Sequence, residues 1–286
     1  MNAKTVVAQH KAIRDDIGDL VTRRPVPSRT LQQVDPFLFL NHHGPQTYPA
    51  GNGGLPFGPH PHRGFETVTF ILGGELMHRD TAGHESVILA GGVQWMTAGS
   101  GLVHAELSPD DFKRRGGPLE ILQLWVNLPA RLKMSSPRYT GLQRDQIPAI
   151  AADDGRAMLN LIAGVWNGHK GPIESLTGIF ASTVEMKAGG RLRLDTVGGR
   201  NVFLYVVRGS VKVQGAVVPA YTLAELSKPG ETVAVEAVMD AVVLLCHGDP
   251  IGEPVVAHGP FVMNTVQEMH DAIRDYQAGK FNAPAV

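Results

Sequence analysis

The sequence predicts an all-β protein built from sandwiches or barrels. Glycine and proline number 33 and 20 among its 286 residues, more turn-forming residues than a helical protein would tolerate. Short runs of β-branched and aromatic residues recur between these turns, as they do in strands joined by tight connections. Hydrophobic residues make up 43% of the chain, which supplies enough apolar surface for a core. This length accommodates two ordinary domains or one large one.

The first half contains the clearest predicted strands. Thr67–Leu72 is rich in β-branched and aromatic residues, and Gly73 and Gly74 end it with a turn. Ile121–Leu128 is predicted to be another strand, which Pro129 terminates. No amphipathic helix is predicted in this half. Two shorter predicted strands are Leu76–Arg79 and Ser86–Leu89.

A change of composition predicts a domain boundary. Between residues 130 and 154 the chain is polar, and proline and glycine interrupt it among charged residues. We interpret this stretch as the crossing between an N-terminal domain, residues 1–135, and a C-terminal domain, residues 136–286. The second domain returns to strands, which are predicted at Ile179–Met186, Val202–Val207, Val211–Gln214, Thr232–Val238 and Ala241–Cys246.

An internal repeat connects the two halves. Val202–Val211 is similar to Thr67–Leu76 when Gly209 is set on Gly74. A repeated turn between two apolar runs indicates that one β-sandwich unit has been duplicated.

Only the end of the chain is predicted to be helical, over about residues 264–279. Asn264 and Thr265 can cap its first turn, and Gly279 fits the position after its last turn. Apolar residues at three- and four-residue spacing give the helix one face for packing on a sheet. These residues are Val266, Met269, Ile273 and Tyr276.

Charge and cysteine content exclude several classes of protein. The formal net charge is −1, so direct binding to nucleic acid or to an anionic membrane surface is not expected. The single cysteine, Cys246, excludes an intramolecular disulfide and a multi-cysteine zinc site, and its apolar surroundings predict a buried, inert thiol. Neither a signal peptide nor a membrane span is predicted, and we expect a cytoplasmic protein.

Two pairs of side chains have the spacing of metal ligands. His60 and His62 are two residues apart, so an extended backbone places both imidazoles on one face. His104 and Glu106 repeat this spacing after a glycine-rich turn. If the two strands are neighbours, three imidazoles and a carboxylate converge, a donor set that suits Fe(II), Mn, Co, Ni, Cu or Zn. The spacing alone leaves a metal site and an accidental arrangement both open.

The residues around these pairs resemble a known motif. Gly54-x5-His60-x-His62-x3-Glu66-x6-Gly73 is similar to the first cupin motif at each of its fixed positions. The second cupin motif is not followed, and the stretch that ends in His-x-Glu stands in its place.

Longer segments resemble the pirin family in particular. They read PHPHRGFETVTFILGGEL at residues 59–76, QWMTAGSGLVHAE at 94–106, DPFLFLNHHGP at 35–45, LQLWVNLP at 122–129, EPVVAHGPFVMNT at 253–265 and AIRDYQAGKF at 272–281. The resemblance therefore extends over nearly the whole chain.

The resemblance implies two tandem cupin domains and a metal in the first of them. The implied ligands of the metal are His60, His62, His104 and Glu106, and Fe(II) is the implied ion. Glu66 is expected to stand outside the ligand set and to orient one ligand. The second domain is expected to be degenerate and free of metal, because Asp195, Val197 and Asn201 stand where the repeat aligns His60, His62 and Glu66.

The other histidines and several aromatic residues have expected roles outside the ligand set. His42 and His43 are expected to be structural. Three histidines that flank turns are expected to be solvated, namely His78, His84 and His169. His247 and His258 are isolated in the second domain. The expected pocket walls are Phe57, Phe65, Trp95 and Met96.

Two functions are compatible with this site. The resemblance implies a dioxygenase that acts on a flavonol-like aromatic substrate such as quercetin, with dioxygen as the second substrate. In this hypothesis Glu106 accepts the proton of the 3-hydroxyl, and ring opening releases carbon monoxide. The alternative is an iron-containing regulator or redox sensor that binds a protein partner, a transcription factor or a metabolic enzyme. A monomer is expected in either case.

Overall fold

The computed structural model describes residues 2–281 and confirms the all-β prediction. Strands dominate the described chain, and its two α-helices are short. The strands are β1 Val6–Lys11, β2 Ile13–Arg14, β3 Thr22–Val26, β4 Phe37–Tyr48, β5 Phe57–His62, β6 Phe65–Gly73, β7 Glu75–Asp80, β8 Glu85–Leu89, β9 Val93–Thr97, β10 Leu102–Leu107, β11 Gly117–Asn127, β12 Arg138–Leu142, β13 Ala149–Ala152, β14 Ala157–Ala163, β15 Val165–Trp166, β16 His169–Lys170, β17 Phe180–Met186, β18 Arg191–Leu194, β19 Asn201–Arg208, β20 Ser210–Val213, β21 Ala216–Pro219, β22 Thr222–Leu226, β23 Val233–Ala237, β24 Ala241–Gly248, β25 Val256–His258 and β26 Phe261–Met263. The helices are α1 Asp110–Arg115 and α2 Val266–Gln277.

The described chain divides into two compact units. The N-terminal unit contains residues 14–23, 37–144 and 251–281, and the C-terminal unit contains residues 2–13, 24–36 and 145–250. This division differs from the predicted boundary at 135/136, because β12 continues the N-terminal unit as an edge strand beside β9. The end of the chain also differs, because α2 packs on β25 and β26 within the N-terminal unit.

The N-terminal unit contains two main antiparallel sheets. The larger one has the strand order β12-β9-β6-β11-β4-β3-β2, and the smaller one has the order β5-β10-β7-β8. Adjacent side chains of a strand point to opposite faces. The register of β6 with β9 and β11 therefore puts Thr67, Thr69, Met96, Gln123 and Trp125 on one face of the larger sheet.

The C-terminal unit repeats this arrangement strand for strand. Its sheets have the orders β1-β22-β19-β24-β17-β14-β13 and β18-β23-β20-β21. Gly74 and Gly209 take the same place between corresponding strands, with φ of 80° and 75°. A Cβ at either position would collide with a backbone carbonyl, that of Pro118 or of Asp240. The duplication predicted from these two glycines is confirmed, and both positions require glycine.

The predicted C-terminal helix is confirmed, and a second helix was missed. Thr265 caps α2 through a capping box with Glu268, and Gly279 follows the helix with φ of 75°. The prediction that no helix interrupts the first half is wrong, because α1 forms there. Only Phe112 of its six residues is buried, so α1 is too short to show a helical period in the sequence.

The structure bears on two predictions made from composition, which concern the cysteine and membrane-spanning helices. Cys246 is buried, and burial raises the pKa of its thiol, which keeps it protonated and inert as expected. Among residues 2–281, neither helix has the length and apolar composition needed to cross a bilayer.

His247 gives the C-terminal unit a predictable dependence on pH. Its ring stacks on Phe180 at 4.6 Å between centroids, and burial lowers its pKa to about 3, with smaller contributions from Arg200 and Lys4. The unfolded chain binds a proton below the usual pKa of about 6.5, whereas the folded protein does not. The free energy of unfolding should therefore fall by on the order of 1 kcal/mol from about pH 7.5 to about pH 5.5.

Denaturant unfolding of the chelator-treated protein at these two pH values measures this contribution. The variant His247→Phe keeps the ring stack and removes the titration, so its loss of stability should be smaller by that amount. Equal losses in the two proteins would contradict the assignment to His247.

Candidate metal centre

Strand pairing brings the predicted histidines together. β5 and β10 are antiparallel neighbours, and His104 lies directly opposite His60. His62 follows on the same face of β5. His62 and His104 are 4% and 2% exposed, whereas His60 is half-buried. The three imidazoles therefore form a cluster that is open to solvent on the side of His60.

The three rings have the geometry of a metal site. One ring nitrogen from each of His60, His62 and His104 lies within 4.8 Å of the other two. The ring centroids are 4.4 Å apart for His60 and His104, and 5.0 Å apart for His62 and His104. A first-row metal binds imidazole nitrogen at about 2.1 Å, so two nitrogens that share one ion lie at most about 4.2 Å apart, and the cluster is close to this spacing.

Hydrogen bonds orient two of these rings. His60 donates from Nδ1 to the Gly58 carbonyl oxygen at 2.7 Å, and His62 donates from Nδ1 to the Pro260 carbonyl oxygen at 3.2 Å. Each bond fixes the tautomer and leaves a lone pair on Nε2. Both ring nitrogens of His104 are buried without a hydrogen-bond partner among residues 2–281, which is costly unless a ligand satisfies one of them. This donor set fits a divalent metal ion.

Burial also keeps the imidazoles in the form that binds metal. It lowers the pKa of His62 to about 3, and the neighbouring His60 contributes to this shift. Burial lowers the pKa of His104 as well, again with contributions from nearby histidines. Both rings are therefore neutral at neutral pH, and a metal ion need not displace a proton from them.

Glu106 lies on the same side of β10 as His104 but is held by other partners. Thr69 donates to one carboxylate oxygen at 3.0 Å, and Gln123 donates to the other at 2.5 Å. Glu106 is 3% exposed and does not belong to the cluster of three converging nitrogens. The structure thus brings three of the four predicted ligands together, and the fourth follows His104 by two residues on β10.

Glu66 is not brought to the histidines. Thr69 on β6 faces Glu106, and Glu66 lies an odd number of residues away, so its side chain leaves the opposite face of the sheet. There it accepts a hydrogen bond from Thr97 at 2.7 Å, and burial raises its pKa. This position does not support the expectation that Glu66 orients a metal ligand.

A buried cluster beside His104 was not predicted. His78 was expected to be solvated, but it is 1% exposed and its ring lies 5.4 Å from that of His104. It stacks on Tyr139 at 3.9 Å and bonds to Asp80 at 3.0 Å. Burial raises the pKa of Asp80, but hydrogen bonds from His78 and His84 outweigh it and lower that pKa to about 2. The expectation for His78 is wrong because His78 pairs with Glu106 on β10 and its ring lies on the face of the sheet that carries His104.

Aromatic side chains line the cluster on the side of His62. Phe65 and Trp125 lie 5.0 Å and 5.4 Å from its ring, and 4.4 Å from each other. Met96 shares the face that carries Trp125, whereas Trp95 lies on the opposite face with Glu66. Phe65 and Met96 thus have positions consistent with the predicted walls, Trp95 does not, and Trp125 was missed although strand alternation places it with Gln123.

The remaining histidines lie in varied surroundings. His42 bonds to Glu120 at 3.0 Å, and His43 bonds to Thr22 at 2.9 Å while its ring lies 5.2 Å from that of Phe57. Both are buried, as a structural role requires. The exposed ones are His84, His169, His258 and His270.

The C-terminal unit has aliphatic side chains at the corresponding positions. Glu106 pairs with the fourth residue after Gly74, and Val235 pairs with the fourth residue after Gly209. Val235 therefore takes the place of Glu106, and Val233 takes that of His104. Both valines are buried in the hydrophobic core together with Val197. A cleft of about 700 Å³ on this unit is lined by surface ion pairs and by none of the candidate ligands.

Proteins of known family are similar to this sequence over most of its length. A Caulobacter vibrioides protein named pirin-like is 44% identical over 251 residues, which cover 87% of this chain and 88% of the relative. A Pseudomonas aeruginosa protein provisionally named a quercetin 2,3-dioxygenase is 39% identical over 250 residues, which cover 87% of each chain.

A solved structure shares the fold throughout. The crystal structure of a quercetin 2,3-dioxygenase from Acinetobacter baumannii superimposes with a TM-score of 0.90 at 33% identity, covering 98% of this chain and 99% of that one. The family model for pirin matches residues 19–126, and the model for the pirin C-terminal cupin domain matches residues 181–282. The identity to these relatives and the matches to both family models show that the chain belongs to the pirin family.

Proposed function

We propose that this protein is a metal-dependent dioxygenase that opens the ring of a flavonol-like aromatic substrate such as quercetin. The observation that carries the proposal is the cluster of His60, His62 and His104, whose ring nitrogens converge beside aromatic walls. The names of the Pseudomonas and Acinetobacter relatives support the substrate class.

The metal would be held by the three histidines and Glu106. When bound there, Fe(II) supplies Lewis acidity and redox chemistry toward dioxygen. The donor set also admits Mn, Co, Ni, Cu or Zn, and the choice of Fe(II) rests on the family resemblance.

The hydrogen bonds of Glu106 support its assignment as the base. Bonds from Thr69 and Gln123 fix both carboxylate oxygens, and each oxygen keeps a lone pair that can face a ligand. We assign to Glu106 the removal of the proton from the 3-hydroxyl of the substrate. Tyr139 is unsuited to that role, because burial raises the pKa of its phenol to about 12, with contributions from Glu106 and Asp80.

The aromatic walls would orient a flat substrate. Phe65 and Trp125 offer ring faces and edges within about 5 Å of His62. The Trp125 indole nitrogen is buried and has no hydrogen-bond partner in the described part of the chain, so its N–H can donate to an oxygen of the substrate. The half-buried His60 marks the side from which a substrate can enter.

Aerobic turnover of quercetin by protein loaded anaerobically with Fe(II) tests the proposal. We expect metal-dependent loss of the flavonol absorbance, with one dioxygen consumed and one carbon monoxide released per substrate. Chelator-treated protein and protein loaded with redox-inert Zn serve as controls. If quercetin persists although one equivalent of iron is bound, the dioxygenase is contradicted, and the regulatory alternative with a protein partner takes its place.

A further inference from the structure

We infer that the C-terminal segment, residues 251–281, is part of the metal centre: its Pro260 carbonyl fixes His62, and an ion pair between Arg63 and Asp275 holds the segment in place. This inference rests on the proposed metal site but not on the proposed substrate or reaction. The segment is separated from His62 by about two hundred residues of sequence and belongs to the same compact unit.

The first link is the hydrogen bond from His62 to Pro260. The Nδ1–H of His62 donates to the Pro260 carbonyl oxygen at 3.2 Å, which directs Nε2 toward His60 and His104. Loss of such a partner frees the ring to rotate and to change tautomer. Partners of this kind typically contribute about 10- to 100-fold to metal affinity.

The second link is the backbone contact that fixes the position of the Pro260 carbonyl. β26 begins at the next residue, and the Val262 N–H donates to the Arg63 carbonyl oxygen at 3.1 Å. Gly64 allows this approach, because a Cβ there would collide with the Val262 carbonyl oxygen. The chain on the C-terminal side of His62 and the chain that carries its hydrogen-bond acceptor are therefore packed directly together.

Lys133 stabilises the same junction, which is the place where Gly64 packs against Val262. Its buried ammonium donates to the carbonyl oxygens of Gly64 at 2.8 Å and Val262 at 3.0 Å, and to the side chain of Asn127 at 2.7 Å. Burial lowers the pKa of Lys133 to about 8. Three oxygen acceptors compensate the cost of burying this group, which indicates that the junction is a fixed element of the unit.

Arg63 connects the junction to α2. It is 5% exposed and donates to Asp275 at 2.9 Å and to the Ser100 carbonyl oxygen at 2.7 Å. Its guanidinium lies 4.5 Å from the ring centre of Phe281, whose ring excludes a side chain at Gly101. Ser100 and Gly101 precede β10, which carries His104, so the segment touches the chain beside two candidate ligands.

Docking of the segment and binding of the metal should consequently stabilise each other. A segment that holds His62 in its binding orientation raises metal affinity, and linkage requires that metal raise the docking equilibrium by the same factor.

Nickel(II) affinity in the full-length variant Asp275→Asn tests the inference. Competition against a chromophoric chelator should show a dissociation constant at least about tenfold higher than that of the wild type. Asp275 also pairs with Lys280 at 2.7 Å. Two controls are therefore matched to it: Asp271→Asn makes the same change on an exposed face of α2, and Lys280→Met removes only the second pair. Both should stay within about twofold of the wild type.

Hydrogen exchange of residues 256–281 is the second readout. Nickel should slow exchange in the wild type and should do so less in Asp275→Asn. A further variant, Arg63→Lys, keeps the charge but loses the forked contacts, and its affinity should lie between those of Asp275→Asn and the wild type. Unchanged nickel affinity in Asp275→Asn, or exchange that is insensitive to nickel in the wild type, would overturn the inference. Because no substrate is used, a failure of quercetin turnover does not affect either measurement.

Discussion

His104→Leu should abolish metal retention and leave the metal-free protein at least as stable as the wild type. Both nitrogens of His104 are buried, and no described residue forms a hydrogen bond with either of them. A buried polar group in this state costs about 1–3 kcal/mol, and leucine of similar volume removes that cost. The same substitution removes a candidate ligand that lies between the other two imidazoles and His78.

Two measurements on the same protein separate these effects. Metal content after anaerobic loading and gel filtration should fall from one equivalent to a trace. Thermal unfolding in chelator should give an equal or higher midpoint, and the stabilisation on adding metal, about 2.7 kcal/mol at a hundredfold excess over Kd, should disappear. His169→Leu, an exposed substitution in the C-terminal unit, should keep both. A His104→Leu protein that still binds one tight equivalent would refute the assigned site.

The sequence predicts the fold and the histidine cluster because both depend on local patterns. Turn frequency and β-like runs indicate strands, and the duplicated glycine turn identifies the repeat. His60 and His62 lie within one strand, so their spacing of two directly gives a common face. Their meeting with His104 required only that β5 and β10 be neighbours.

The failures arise where alternation is interrupted or where contacts are distant in sequence. Gly64, with φ of 89°, interrupts the extended backbone between β5 and β6. The alternation of side chains between two faces is lost there, so the direction of the Glu66 side chain cannot be derived from that of His62. Pro260 is remote from His62 in sequence, so no local sequence pattern predicts their contact. His78 lies near a turn in the sequence and was therefore expected to be solvated. The neighbouring strands bury it, and the local sequence does not show which strands these are.

Glu106→Gln should reduce turnover of the flavonol by about 10²- to 10⁴-fold, the usual range for removal of a general base. The amide keeps the size of the side chain and can keep its contacts, with its oxygen accepting from Gln123 and its nitrogen donating to the Thr69 hydroxyl. The three histidines remain, so the variant should still hold metal, at lower affinity. The substitution therefore removes the proton acceptor with little change of structure.

The matched control for this prediction is Glu66→Gln. It makes the same change at another buried carboxyl group of the unit, on the opposite face of β6, where Thr97 donates to it. Because the Glu66 side chain leaves the opposite face of β6 from Thr69, which contacts Glu106, turnover should stay within about threefold of the wild type. Equal losses in the two variants would instead show that both carboxylates act on the reaction, as the sequence motif implied.

Spectra of the bound flavonol distinguish loss of the base from a general defect. Deprotonation of the 3-hydroxyl shifts the flavonol absorbance to longer wavelength, so anaerobic binding to the wild type should give the shifted spectrum near neutral pH. In Glu106→Gln the same shift should require a higher pH, because the proton must leave to solvent. If the shift occurs at the same pH in both proteins while turnover still falls, Glu106 acts after deprotonation, as a ligand that sets the reactivity of the metal, and the assignment of a base must move to another group.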